Sequence, residues 1–218
     1  MAEPSGTAPR LIDGPGDAPL SLVLAHGAGA PMDSPFMAAI SAGLAARGWR
    51  VLRFEFPYMA RQRLTGRRCA PDRLPRLEQA FREQVALAGA PGALLIGGKS
   101  MGGRVASLVA DELAASAGVR GCVCLGYPFH PPGRPQQLRT GHLEALRTPT
   151  LILQGERDSF GRREEVETYA LAPAISLAWI PAGDHSFRPT VASGRREADN
   201  WAAAVEAVDR FGRHLIAT

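Results

Sequence analysis

The sequence predicts an α/β protein. A mainly parallel sheet of about six strands is covered by helices on both faces, in one domain at 20–218 behind a poorly ordered tail at 1–19. Two observations carry that expectation. Short apolar runs of strand length alternate with longer stretches of helical periodicity, the pattern of strand–helix–strand units and hence of parallel pairing. The residues best suited to chemistry, among them Ser100, Asp158 and His185, each stand directly after such a run. In a parallel sheet that puts them on the carboxyl edge, where ligands bind.

Taken in order, Arg10-Leu11-Ile12 could add a short edge strand to the Pro/Gly/Ala-rich start. Leu20–Ala25 is the first core strand and runs into the small-residue loop His26-Gly27-Ala28-Gly29-Ala30. Ser34-Pro35 reads as a helix start, with Phe36, Met37, Ile40 and Leu44 as the apolar stripe and Gly48 as the stop. Trp49–Phe54 is the second strand. The arginine-bearing stretch 55–75 reads as irregular, and a helix is expected at about 76–88. Leu94-Leu95-Ile96 is the third strand and Val105, Leu108, Val109 and Leu113 mark the helix after it. Strands at 119–126, 150–154 and 175–180 follow, with helices expected near 137–146, 163–171 and 197–215.

Between the third strand and its helix lies Gly98-Lys99-Ser100-Met101-Gly102, which fits G-x-S-x-G. In that motif a serine sits on a strained strand-to-helix turn with its hydroxyl exposed. The glycines are steric requirements, because the positions two before and two after the serine crowd each other. Gly98-Lys99-Ser100 also resembles the end of a phosphate-binding loop. That loop would need a glycine at Ala93 and no strand at 94–96, so it is rejected. With Ser100 just ahead of a helix, the N–H of Met101 faces a developing oxyanion, and the loop after the first strand offers the second donor, the N–H of Ala28.

A serine hydroxyl needs a base, and the base needs a partner to fix its tautomer. Of the five histidines, His142 and His214 fall on expected helices, and His26 is read as a buttress of its loop. His185 and His130 remain as bases. Asp158 and His185 follow Ser100 in that order, each just after a strand, and are taken as the acid and the base. Glu156 and Asp184 are rival acids, the latter better suited to capping its own loop. Tyr127, Phe129 and Phe187 are candidate pocket walls.

These segments together carry a resemblance. His26-Gly27-Ala28-Gly29-Ala30 with Met32-Asp33-Ser34-Pro35-Phe36-Met37, Gly97–Arg104, Gly126–Gly133, Gly155–Asp158 and Gly183–Phe187 resemble the α/β-hydrolases over residues 20–218. The likeness is strongest to compact, dienelactone-hydrolase-like members and to the KANL/Tex-like group. It implies a hydrolase fold and a triad at Ser100, Asp158 and His185. Some similar eukaryotic proteins serve as components of chromatin complexes, so a non-catalytic scaffold is the alternative. Only about twenty residues separate Phe129 from Thr150, too few for a large lid, and a shallow, open site is expected.

Composition narrows the remaining classes. The net charge is +4 and Lys99 is the only lysine, so the positive charge is almost all arginine. A nucleic-acid interface would rest on Arg61, Arg63, Arg67, Arg68, Arg73 and Arg76, without the interleaved aromatics such surfaces use, and none is expected. Cys69, Cys122 and Cys124 make neither a disulfide framework nor a zinc pattern. The N-terminal stretch lacks the basic start and apolar core of a secretion signal, and no apolar run is long enough to span a bilayer. The expectation is a cytoplasmic serine hydrolase, monomeric or homodimeric, acting on a small acyl substrate with no cofactor and no membrane.

Overall fold

The structure, a computed structural model, describes residues 9–217. Its sheet is ordered β1-β3-β2-β4-β5-β6-β7. In sequence the strands are β1 (Arg10–Asp13), β2 (Leu20–Ala25), β3 (Trp49–Phe54), β4 (Ala93–Lys99), β5 (Val119–Leu125), β6 (Thr150–Gly155) and β7 (Ile175–Ile180). All neighbours pair in parallel except β1, which is antiparallel to β3. The chain winds from β2 outwards to β3, then returns to β4 and proceeds the other way, so the winding reverses between β2 and β4. That is the point at which such sheets open a crevice at their carboxyl ends.

The helices are α1 (Pro35–Ala45), α2 (Pro57–Thr65), α3 (Leu74–Ala86), α4 (Met101–Ala117), α5 (Arg163–Val166) and α6 (Glu197–Ala217). Two cores result, one on each face. On one, α3 and α4 bury Leu77, Phe81, Val105 and Val109 against Val23, Ile96, Cys122 and Ile152. On the other, α1 and α6 bury Phe36, Ile40, Leu44, Val205 and Val208 against Leu22, Leu95, Val123 and Leu153. The period-two alternation of each strand supplies both cores at once.

The single α/β domain with a mostly parallel sheet is as expected, and four local readings need correction. The sheet has seven strands, because Arg10–Asp13 pairs with β3 and Asp13 ion-pairs with Arg53 at 2.7 Å. The short edge strand expected at Arg10-Leu11-Ile12 is thus present and extends to Asp13, while residues 1–8 of the expected tail lie outside the described residues. The stretch read as irregular contains α2, started by Pro57 and stopped by Gly66 at φ 67°. It buries only Tyr58 and Met59, too few to leave a helical stripe in the sequence. The helix expected at 137–146 is a single 3-10 turn, Gly141–Glu144. Upstream, Arg139 N–H is committed to Phe129 O at 2.7 Å rather than to a helical ladder. The helix expected at 163–171 stops at Val166, and Ala172 N–H turns to Leu143 O.

Between β5 and β6 there is thus no α-helix to close over the carboxyl edge. Among the described residues, no helix is long and apolar enough to cross a membrane.

Candidate active site

The registers align the ends of five strands. Ala25 pairs with Gly98, Lys99 with Leu125, and Gly155 with Ile180, so the residues that follow them share one edge. Ser100 stands between β4 and α4 at φ 53°, ψ −116°, a conformation non-glycine residues avoid. Crowding enforces it. A Cβ at Gly98 would lie 2.4 Å from the Gly102 carbonyl carbon, and one at Gly102 would lie 2.6 Å from Ala25 O. The turn can therefore be this tight only with glycine at both positions.

His185 reaches the serine from the loop after β7. Its Nε2 is 2.8 Å from Ser100 Oγ and its Nδ1 is 2.7 Å from Asp158 Oδ2. A carboxylate only accepts, so Nδ1–H donates to Asp158, leaving Nε2 to accept the serine hydroxyl. Asp158 is fully buried. It also accepts from Gln154 Nε2 at 2.9 Å and from Phe160 N–H at 2.8 Å. The acid and histidine loops are zipped together, with Arg157 N–H on Gly183 O at 2.9 Å and Glu156 N–H on Ile180 O at 3.2 Å. Burial, and next to it the Asp158 hydrogen bond acting the other way, set the His185 imidazole below its ordinary range.

The rivals are engaged elsewhere. Asp184 Oδ1 accepts the N–H groups of Ser186 and Arg188 at 2.8 and 2.9 Å, capping its own loop. Glu156 accepts Ala182 N–H at 2.8 Å and pairs with Arg163. His130 is buried with Nδ1 on Pro131 O at 2.9 Å and Nε2 beside Glu165 at 3.4 Å. His142 bonds Ser107 at 2.9 Å.

The loop after β2 is fixed from behind. Phe56 N–H donates to His26 Nε2 at 3.1 Å, so Nδ1 carries the ring hydrogen and donates to Gly27 O at 2.7 Å. Tyr58 Oη donates to Gly27 O and Ala28 O at 3.3 and 3.0 Å. In a trans peptide the carbonyl and the following N–H point oppositely, so the Ala28 N–H faces away from His26 and Tyr58. The same loop runs beside the serine, since a Cβ at Gly27 would be 3.6 Å from Ser100 Cβ. Met101, the first residue of α4, contributes one of the N–H groups that a helix start leaves without an intrahelical partner.

The three aromatic residues expected to wall the pocket do not. Tyr127, Phe129 and Phe187 are completely buried. Tyr127 and Phe129 pack on each other in the α3/α4 core, and Phe187 packs on Phe36 in the opposite one. Each follows a strand, but its ring is turned inward beneath the edge. A cleft of about 580 Å³ is lined instead by residues including Ala28, Phe36, Met37, Phe160, Arg188 and Trp201 beside Ser100 and His185. Sequence reading passed over Phe160, whose ring lies 4.2 Å from that of His185. It also passed over Gln154, whose amide ties Tyr127 N–H (2.7 Å) to Asp158. Its one signal is a glutamine directly after the apolar run Leu151-Ile152-Leu153. A second groove, at the amino-terminal edge, is lined by Val85, Gly92, Arg120 and neighbours and carries no nucleophile.

Two of the arginines that suggested a nucleic-acid surface are used internally. Arg63 bridges buried Glu55 to Asp33, and Arg61 pairs with Asp72 at 2.8 Å.

Solved structures share this architecture at low identity. Est1E from Butyrivibrio proteoclasticus, bound to ferulic acid, superposes with a TM-score of 0.72 at 17% identity, covering 96% of each chain. A lidless α/β serine hydrolase from Xanthomonas campestris gives 0.67 at 20% identity, covering 95% of this chain and 91% of its own. Dienelactone hydrolase from Anabaena variabilis gives 0.69 at 21%, covering 94% and 90%. Such identities speak for the fold alone. The profile of the α/β hydrolase domain matches residues 18–213, nearly the whole chain, and it is to this family that the chain belongs.

Proposed function

We propose that this protein is a serine hydrolase that cleaves a small ester or thioester through an acyl-enzyme. The observation that carries the reading is the unbroken hydrogen-bond chain from buried Asp158 through His185 to Ser100 Oγ, ending on a serine held at positive φ. Ser100 Oγ attacks the acyl carbon while His185 Nε2 takes its proton. Asp158 holds the imidazole tautomer and offsets the charge of the imidazolium. The N–H groups of Ala28 and Met101 receive the oxyanion. Collapse expels the alcohol or thiol with the proton from His185, and a water molecule, deprotonated by the same histidine, then releases the acid and restores Ser100.

The cleft supports a small, largely apolar acyl or aryl group, because Phe36, Met37 and Trp201 flank the serine. The ferulic acid bound in Est1E and the lidless Xanthomonas relative favour the same size class. Within the family we infer kinship to dienelactone-hydrolase-like members and to the KANL/Tex-like group, with the cytoplasm as the site of action. The free thiols Cys69, Cys122 and Cys124 suit a reducing compartment.

The test is turnover of p-nitrophenyl esters of increasing chain length. Short chains are expected to be favoured, with no jump in rate when a long-chain substrate forms micelles. A non-catalytic scaffold would turn over none of them. Trp201 lines the cleft and its ring stacks edge-on with Phe36 at 5.8 Å. Trp201→Ala is therefore expected to shift the kcat/KM ratio of long to short esters upwards by about tenfold or more, the worth of a few methylenes of pocket. An unchanged ratio would remove Trp201 from the acyl pocket.

The pH dependence has a definite sign. The base must be neutral to accept the serine proton, and burial lowers the His185 pKa. The acidic limb of kcat/KM is thus expected to have its midpoint below 6.5, the ordinary histidine value. A midpoint above that value would contradict this electrostatic description.

A further inference from the structure

Lys99 is the only lysine in the chain and stands immediately before Ser100. It is also buried, at 8% exposure, where lysine is almost never found without compensation. Its side chain leaves β4 on the α1/α6 face, and the ammonium donates a 2.6 Å hydrogen bond to the main-chain carbonyl of His185. The Phe36 ring lies below it, 5.7 Å from Nζ to centroid. At Gly126 the backbone is kept bare for this contact. Gly126 has φ 67°, and a Cβ there would come within 2.8 Å of His185 O and 3.0 Å of Lys99 Nζ.

We propose that Lys99 is a positioning residue for His185, pinning the histidine's loop by its carbonyl and biasing the imidazole towards its neutral form. This rests on the reading above in that His185 is taken as the base. The groups facing the imidazole are few. Asp158 comes from the turn after β6, Ser100 and Lys99 from the end of β4, and Asp184 from the histidine's own loop. Phe160 covers the ring. Arg188 and Glu197 line the same cleft and pair with each other at 3.5 Å. Against two carboxylates, Lys99 is the cation that opposes protonation of His185. Burial pushes its own pKa down to about 8, with Asp158 and Asp184 acting in the opposite sense, so it is still largely charged at neutral pH.

A methionine would fill the same space without the cost of burying a charge. A cation there instead gives the site a base that is free at neutral pH, while Asp158 stabilises the imidazolium once it forms. The hydrogen bond also fixes the carbonyl of the residue whose ring must meet Ser100 within a few tenths of an ångström.

The test reads the His185 ring by NMR titration in wild type, Lys99→Met and Lys99→Arg, with His185→Ala for assignment, alongside kcat/KM profiles. Lys99→Met is expected to raise the His185 midpoint by roughly 0.5–1 pH unit and to lower kcat about tenfold. Lys99→Arg is expected to restore the midpoint. An unmoved midpoint in folded Lys99→Met would overturn the proposal. Because the ring titrates whether or not an ester is cleaved, a shifted midpoint in an inert protein would sink the hydrolase reading and leave the coupling standing. Should Lys99→Met not fold, ¹³C-lysine labelling of wild type gives a single lysine side-chain signal. Its midpoint is expected near 8 and lower still in Asp158→Asn. A lysine midpoint indifferent to Asp158→Asn, showing no coupling to the site's charges, would equally overturn it.

Discussion

Ser100→Ala is expected to lower ester turnover by something on the order of 10⁵- to 10⁶-fold, the scale at which loss of a serine nucleophile dismantles a whole triad. The protein should remain folded, for reasons visible at the turn. The Ser100 hydroxyl makes no capping bond to α4, and its hydrogen bond is to His185 Nε2. Alanine suffers at φ 53° much the same strain that serine already bears, and the glycines that relieve the crowding are untouched. Circular dichroism and the thermal midpoint are therefore expected to stay close to wild type. Near-wild-type turnover in such a folded variant would end the serine mechanism.

Asp158→Asn is expected to reduce kcat on the order of 10³- to 10⁴-fold. Every neighbour of this buried carboxylate is a donor: Gln154 Nε2, Phe160 N–H and His185 Nδ1–H. An asparagine must turn its NH₂ towards at least one of them. Facing Phe160, it keeps the imidazole tautomer but withdraws the negative charge that the imidazolium needs. Facing His185, it also holds the hydrogen on Nε2, where it blocks acceptance of the serine proton. Glu156→Gln and Asp184→Asn should each stay within about tenfold of wild type, because these carboxylates cap loop N–H groups rather than the imidazole. A nearly silent Asp158→Asn beside a severe Glu156→Gln or Asp184→Asn would move the acid assignment.

The strands were legible in the sequence because a strand buried on both faces writes itself as a continuous apolar run. Leu20–Ala25 and Thr150–Gly155 are buried at every position. Ser100, Asp158 and His185 could be named because G-x-S-x-G and the order of polar residues after strands are local signals. Their meeting within hydrogen-bond distance depends on register and loop zippering, which no local pattern encodes. The elements misread were those whose stability is not their own. Helix α2 is secured by a few side-chain contacts, such as Tyr58 N–H on Asp72 at 2.8 Å, rather than by an apolar stripe. The pocket walls were misread for a related reason. An aromatic after a strand can point into the cleft or into the core beneath it, and Tyr127, Phe129 and Phe187 all turn inward. Two residues that do line the cleft, Phe36 and Trp201, sit in the first turn of α1 and at the start of the second turn of α6. In sequence they look like any other core-facing helical residue.

The central claim is that Ser100 is a nucleophile activated by His185, and covalent labelling with a fluorophosphonate tests it most directly, because it needs no knowledge of the substrate. Intact mass spectrometry of the treated protein is expected to show one adduct, fragmentation to locate it on Ser100, and His185→Ala to label far more slowly. An unlabelled wild-type protein, or an adduct on any residue other than Ser100, would contradict it.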